Sequence, residues 1–270
     1  MSELRRIKPI PLAGLKPASF AGERPALEWI APTALLIDST YQRELSERSL
    51  RLIRKLIENF SWNRMKPPIV VKVGAASFHI VDGQHTAIVA ASLGIAEIPV
   101  YIVQADTVDE RARAFVGHNS DRITVSSFDI YRALLAAGDA DAQDVDNVCR
   151  RAGVRIRNIS PSSAIAEGDT AAIGVVRAVV KRRGVISARK VLQCLVKAMR
   201  APITAAEILA AEQIIAVERP GVDPDALSAV IRIEGSDGLA KAHARAKQQK
   251  TIFWREVMRR WLLRLDRSDA

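Results

Sequence analysis

Ile80-Val81-Asp82-Gly83-Gln84-His85-Thr86, followed by Ala87-Ile88-Val89-Ala90-Ala91, reads as a strand that runs through a glycine turn into a small-residue helix. Such a connection aims the unbonded N–H groups of the helix start at whatever lies above the turn, and the helix dipole favours an anion there. Gly83 permits close backbone approach, Thr86 offers a hydroxyl, and His85 can bond a phosphate or shuttle a proton. Asp82, at the strand end, can hold a divalent cation or act as a base. An ordinary β-turn-α connection, with Asp82 capping the helix and His85 on the surface, uses the same residues, so the turn alone leaves both readings open.

Working outward, Ile69–Val73 and Phe78–Val81 are two β-rich runs joined by the small-residue turn at 74–77, a hairpin pattern. Upstream, Ser46 is a helix N-cap with Glu47 in the first turn, and Leu50, Ile53, Ile57 and Phe60 recur at helical spacing until Trp62 and Pro67-Pro68 close the segment. Downstream, the small-residue helix stops at Leu93-Gly94. Pro99–Val103 then reads as a third strand, and a charged helix covers about 107–118. Pro9, Pro11, Pro17 and Pro25 mark residues 1–27 as an irregular arm.

From Val125 onward the β-signal fades. Helices are expected at 128–136, 144–151, 170–183, 187–200, 204–217, 224–233 and 238–266, with a loop at 155–168. The first two resemble the start of a helix-turn-helix. The segment after Gly153 alternates like a strand and meets Pro161, so it does not read as a recognition helix. In the last helix Trp254, Val257, Met258, Trp261, Leu262 and Leu265 form one apolar face, suited first to core packing and second to a dimer seam.

The order of motifs resembles the N-terminal domain of the ParB/sulfiredoxin-like superfamily over about residues 30–137. Asp38 to Arg43 is similar to that family's "Pro-x-x-Gln-Arg" segment, and Pro68–Val71 to its "Pro-Ile-Val-Val" strand. Ile80–His85 matches "Ile-Val-Asp-Gly-Gln-His", and Leu93–Val100 matches "Leu-Gly-x-x-x-Ile-Pro-Val". Gly117–Arg122, followed by Val125-Ser126-Ser127, is similar to the family's "Glu-Asn-x-Gln-Arg" motif. The resemblance implies a nucleotide site. Arg43 would lie near phosphates, Gly83, Gln84, His85 and Thr86 would form the cradle, Asn119 would be a cation ligand and Arg122 a further charge partner. Asn119 and Asp82 would be the metal-facing groups. The implied cofactors are a nucleoside triphosphate, CTP or ATP, and Mg2+. The chain also departs from the pattern. Chromosome-partitioning members carry two arginines where His85 and Thr86 stand, and a glutamate and a glutamine where His118 and Asp121 stand. Sulfiredoxins use a cysteine at Gln84, which excludes their thiol chemistry.

The chain has 270 residues and a formal net charge of +10, and the charge is unevenly placed. Residues 28–127 hold eleven basic and eleven acidic groups, whereas 148–200 hold twelve and two, and 241–270 hold nine and three. An acidic block at 201–240, two basic and seven acidic, separates the two basic ones. Clustered cations of this kind are a footprint for a polyanion, and Arg150, Arg151, Arg155, Arg157, Lys181, Arg182, Arg183, Arg189 and Lys190 are the candidate DNA-phosphate contacts. The two cysteines, Cys149 and Cys194, make neither a zinc pattern nor a disulfide framework. No run approaches the roughly 18 apolar residues of a membrane span. A cytoplasmic protein with no membrane partner is expected.

These readings combine into a Pro-rich arm at 1–27, an α+β domain with a small mixed sheet at 28–125, and an all-α basic domain for DNA binding and dimerisation at 126–270. The expected function is a ParB-like, DNA-associated protein of plasmid-partition, phage or mobile-element type, a homodimer whose DNA contacts respond to a nucleotide. A metal-dependent phosphotransferase or nuclease with Asp82 and His85 as catalytic groups is the alternative, and a ligand-free interaction scaffold is the second. Whether the chain is an enzyme stays open on the sequence.

Overall fold

The computed structural model describes residues 6–16, 23–40, 42, 44–74, 77–120, 124–160 and 162–268. The chain divides into two compact units, Met1–Ile123 and Thr124–Ala270. Mixed α/β structure fills the first and helices dominate the second, which is the expected fold class.

The first unit opens with β1 (Ala26–Ile30), a single turn of 3-10 helix at Pro32–Ala34 and a two-residue strand, β2 (Leu35–Leu36). Next come α1 (Glu47–Glu58), β3 (Ile69–Val73), β4 (Ser77–Asp82), α2 (Gln84–Ser92), β5 (Ile98–Val103) and α3 (Val108–Ser120). The strands order as β1-β5-β3-β4-β2. β3 and β4 form the expected antiparallel hairpin, and β3 and β5 run parallel. Val70 and Val71 are both buried because helices cover both sheet faces in the middle. One face packs Val70, Ile80, Ile98 and Val100 against Ala87 and Ala90 of α2. The other packs Val71, Val81 and Ala105 with Ala114 and Phe115 of α3. α1 begins where its cap predicts, with the Ser46 hydroxyl accepting the Ser49 N–H at 3.2 Å.

Two strands depart from the sequence reading. β1 starts inside the segment expected to be an irregular arm, because Ala26 and Leu27 pair with Ile102 and Tyr101, partners far away in sequence. β2 pairs Leu35 and Leu36 with Phe78 and His79 and is too short to show a period. α2 also starts at Gln84, so Gln84, His85 and Thr86 form its first turn instead of a loop ahead of it.

In the second unit, α4 (Ser127–Ala136) and α5 (Ala140–Ala152) are each capped by a side chain, Ser126 and Asp139. Asp139 sets the start of α5 four residues ahead of the expected one. Gly153, with φ +80°, ends α5, and no recognition helix follows. Two short parallel strands, β6 (Arg155–Ile156) and β7 (Asp169–Thr170), bracket the expected loop. α6 (Ile173–Lys197) is interrupted at Gly184 (φ 75°, ψ 167°), which separates the two expected helices by one residue. α7 (Ala205–Gln213) starts with a full capping box between Thr204 and Glu207 and widens into a π-helical turn at Ile214–Glu218.

α8 (Pro224–Gln249) breaks at Gly235, and α9 (Phe253–Ser268) follows. The single helix expected over 238–266 is therefore two, separated at Lys250, whose left-handed conformation (φ 53°) closes α8 without a glycine or proline to announce it. Val257, Trp261 and Leu265 of α9 are buried in one core with Leu192, Leu195, Ile208 and Leu227, so the apolar face of α9 is a core face. Among the described residues, no helix is long and apolar enough to cross a membrane.

Candidate functional site

β3 and β4 pair Ile69 with Asp82 and Val70 with Ile80, so β4 carries an extra residue immediately before the glycine turn. A bulge of this kind bends the strand and re-aims the residues after it. The chain then turns at Gly83, whose φ of +96° is left-handed. A Cβ at Gly83 would lie 2.8 Å from the Pro68 Cα, so both conformation and space require glycine. The Gly83 N–H donates to the Asp82 carboxylate at 2.9 Å. No described side chain caps α2. The first N–H to bond within the helix is that of Ala87, to the Gly83 carbonyl at 3.1 Å, so the Gln84, His85 and Thr86 N–H groups have no helical acceptor.

These groups open onto a pocket of about 260 Å³. Asp82, Gly83, Gln84, His85 and Thr86 line one wall. Asn119, from the last turn of α3, lines another with Phe115. α3 delivers them because Ala114 and Phe115 pack on the sheet face that also holds Val81. Asn119 donates to the Phe115 carbonyl at 2.8 Å. Of the expected nucleotide-site residues, the structure therefore gathers Asp82, Gly83, Gln84, His85, Thr86 and Asn119 around one cavity. Arg43 and Arg122 lie outside the described residues.

Sequence reading missed several lining residues. Gln42 is buried and donates through Nε2 to the Ile80 carbonyl at 2.6 Å, tying the segment ahead of α1 to the bulged end of β4. Glu44, Leu45 and Ser49 follow it into the pocket wall, and Lys66 and Pro67 enter from the segment before β3. The available signal was Lys66-Pro67-Pro68: a cation beside two prolines that fix the chain directly before the strand paired with Asp82. Among the described residues no group of three or more His, Cys, Asp and Glu side chains is placed to hold a metal ion. The two carboxylates of the pocket, Asp82 and Glu44, with the Asn119 amide, suit a divalent cation that keeps most of its ligands from water and phosphate, as Mg2+ does.

In the second unit the structure sorts the nine expected DNA-contacting cations by partner. Arg155 and Arg157 both bond the fully buried Asp169 at 2.8 Å, and the Ala166 N–H completes its shell at 2.9 Å. Burial pushes the Asp169 carboxyl up, but the Ala166 N–H and the two guanidiniums outweigh it and hold the pKa below the usual 3.8. Arg182 and Arg183 both clamp Glu212, at 2.6 and 2.8 Å. Other basic residues are tied in the same way: Arg200 to Glu207, and Arg260 and Arg264 to Glu234. The acidic block at 201–240 is thus largely the internal counter-charge of the two basic blocks. Arg155, Arg157, Arg182 and Arg183 therefore carry a role in the fold, as partners of Asp169 and Glu212, that their sequence gives no sign of.

Among the described residues, Arg150, Arg151, Lys181, Arg189 and Lys190 are exposed and in no ion pair. Arg151 of α5 and Arg189 of α6 share a groove of about 190 Å³ with Asn147, Val185 and Ile186, and Asp144 is its one acid. Arg150 donates to the Asn147 side chain at 2.7 Å.

No family model matches the chain, and no curated protein matches it. Among solved structures, it is similar to the C-terminally truncated chromosome-partitioning protein ParB from Caulobacter crescentus complexed with CTP-γ-S, at 11% identity and a TM-score of 0.36. That match covers 76% of this chain and 98% of the other. It is also similar to a Pnob8-like ParB-N domain, at 13% identity and a TM-score of 0.29, over 81% of this chain and 84% of the other.

Proposed function

We propose that this chain is a ParB-like, DNA-associated protein that takes a nucleoside triphosphate with Mg2+ at the Asp82–Thr86 turn and contacts DNA phosphates with cations of its helical unit. One observation carries the reading: the start of α2, uncapped by any described side chain, opens with the Thr86 hydroxyl and Lys66 onto one polar pocket. Three backbone donors at a helix N-terminus are an anion site, and the helix dipole adds to them. The pocket volume is about 260 Å³, near the lower end of the roughly 300–1,000 Å³ usual for small-molecule sites. Asp82, Glu44 and Asn119 would hold the cation. A bound Mg2+ would offset the repulsion between the carboxylates and the phosphates. The motif resemblance at 80–85 and 93–100 supports the same reading, with CTP and ATP as the first nucleotides to try.

The test is a thermal-shift series with CTP, ATP and GTP, each with and without Mg2+. A ligand bound only by the folded state at about 100 times its Kd stabilises by about 2.7 kcal/mol. CTP or ATP is expected to raise the melting temperature in a Mg2+-dependent way. His85→Glu should abolish the shift while keeping the unliganded melting temperature, because a carboxylate in the first turn favours the helix yet repels phosphate. If no triphosphate moves the melting curve, the reading fails.

A second reading has its own observation. Asp82 and His85 line the same cavity, which is what a phosphotransfer or nuclease centre requires. Nucleotide turnover or DNA cleavage lost in Asp82→Asn, with binding retained, would establish it.

A further inference from the structure

The second unit carries an apolar cavity of about 220 Å³ where α4, α5 and the first turns of α6 meet. Its walls are Ile130, Tyr131 and Leu134 of α4, Ala142 and Val145 of α5, and Ile173 of α6. Ile130 and Leu134 are four residues apart and Ala142 and Val145 three, so each pair falls on one helix face. The Tyr131 hydroxyl donates to Asp146 at 3.2 Å, which leaves its ring as the contribution to the wall. The helices do not close over the space, and Ile130 stays 51% exposed. An apolar cavity of about 150 Å³ takes benzene, so this one has room for a six-membered ring with a short arm.

The polar groups of the cavity are of one kind. Among the described residues Arg177 is the one charged side chain that lines it, and Ser127 adds a hydroxyl. Gly174 lines it one turn ahead of Arg177, and its N–H has no backbone acceptor among the described residues. Arg177 donates to Asp141 at 3.0 Å, but both side chains are more than half exposed, and such a pair contributes little. A guanidinium has five donors in a fork that matches a carboxylate, so most of its capacity is left for a ligand.

We propose that this cavity binds a small aromatic carboxylate, with its ring between α4, α5 and Ile173 and its carboxylate on Arg177, assisted by the Gly174 N–H and the Ser127 hydroxyl. A rigid ring suits the apolar wall because it loses little conformational freedom on burial. A single negative charge suits the head. A phosphate would bring up to two charges to one arginine that already has Asp141 beside it. Asp141 is then a competitor for the same guanidinium, and its carboxylate weakens the binding it borders.

Phenylacetate is the probe, and benzyl alcohol, similar in size and uncharged, is its control. Both are titrated into the full chain with labelled methyl groups and followed by NMR, without nucleotide or DNA. Phenylacetate is expected to bind with a Kd of about 0.1–1 mM, what roughly ten non-hydrogen atoms support. Its ring current should shift the methyl signals of Ile130, Leu134, Val145 and Ile173 and leave those of Ile80 and Ile98, in the core of the first unit, in place. Arg177→Met should weaken phenylacetate about tenfold or more and leave benzyl alcohol unchanged. Asp141→Asn should tighten phenylacetate. Both variants break the same ion pair, so a merely structural role for that pair would move binding the same way in each. The proposal is overturned if the four cavity residues show no methyl shift at about 10 mM phenylacetate, ten times the upper Kd. Benzyl alcohol binding as tightly as phenylacetate overturns it as well, as do the two variants changing affinity in the same direction.

Discussion

Replacing Gly83 with alanine tests the geometry of the site at its tightest point. Two costs arise. A non-glycine residue at φ +96° occupies left-handed space, at about 1–2 kcal/mol. The new Cβ also meets the Pro68 Cα at 2.8 Å and its Cβ at 3.1 Å. Pro68 has little room to retreat. Its carbonyl accepts the Tyr101 N–H at 2.8 Å, and the next residue, Ile69, is already paired with Asp82. Overpacking against a fixed backbone adds about 1–3 kcal/mol, so Gly83→Ala should cost about 2–5 kcal/mol, a large share of a typical domain's stability.

Gly94→Ala is the internal control. Gly94 has φ +68° with no atom within 4 Å of the added Cβ, so it carries the conformational cost without the collision. Both variants narrow the unfolded ensemble equally, and that contribution cancels between them. Urea unfolding of the first unit, at constant m-value, should therefore place Gly83→Ala below Gly94→Ala by about 1–3 kcal/mol. Equal midpoints for the two would show that Pro68 does not press on the turn, and the account of the pocket floor would be wrong.

Other parts of the chain carry their own expected outcomes. Asp169→Ala should cost about 1–3 kcal/mol, from losing the one buried acceptor shared by Arg155, Arg157 and the Ala166 N–H, all of which rehydrate in part; a loss under about 0.5 kcal/mol in chemical denaturation would contradict this. Because the Asp169 pKa is lowered in the folded state, its stabilisation is complete above the ordinary 3.8 and lost as pH falls through the folded value, so Asp169→Asn should flatten the acid limb of the stability curve. If Arg150, Arg151, Arg189 and Lys190 each neutralise one phosphate, DNA affinity should fall with salt at a log–log slope of roughly −3.6. Arg151→Glu with Arg189→Glu should make that slope shallower by about 2. Arg182→Gln with Arg183→Gln should instead lower the melting temperature and leave the slope alone. Thr204→Ala removes half of the capping box of α7 and should cost about 1 kcal/mol in a thermal melt.

Local signals were legible wherever the deciding contact was near in sequence. Ser46 marks a helix start because its hydroxyl bonds the N–H three residues on. Ser126 and Asp139 use the same device, yet the start of α5 was read four residues late because the apolar periodicity begins inside the helix. Gly83 was readable as a turn residue for a similar reason: its conformation is local. β1 was hidden because its apolar residues face solvent, with only Ile30 buried, and its partner lies on a strand far along the chain. The cations show the limit most clearly. Composition reports the sign of Arg155, Arg157, Arg182 and Arg183, while their partners, Asp169 and Glu212, lie 12 to 30 residues away and emerge only on folding. Lys66 and Phe115 likewise join the pocket through strand and helix placement, which no local pattern encodes.

The pairing of β1 with β5 also sets a timetable. Ala26 and Ile102 are directly opposite, so the strand synthesised first in the sheet must wait for the one completed last. The β3–β4 hairpin, with partners only a few residues apart, can close within microseconds of leaving the ribosome. Closing the far longer loop between β1 and β5 costs more chain entropy before any contact repays it, which places this step late and makes it slow. Through that interval Leu27 and Trp29 are carried by an unpaired strand, so capture by a chaperone or collision with a neighbouring nascent chain competes with the last step of folding.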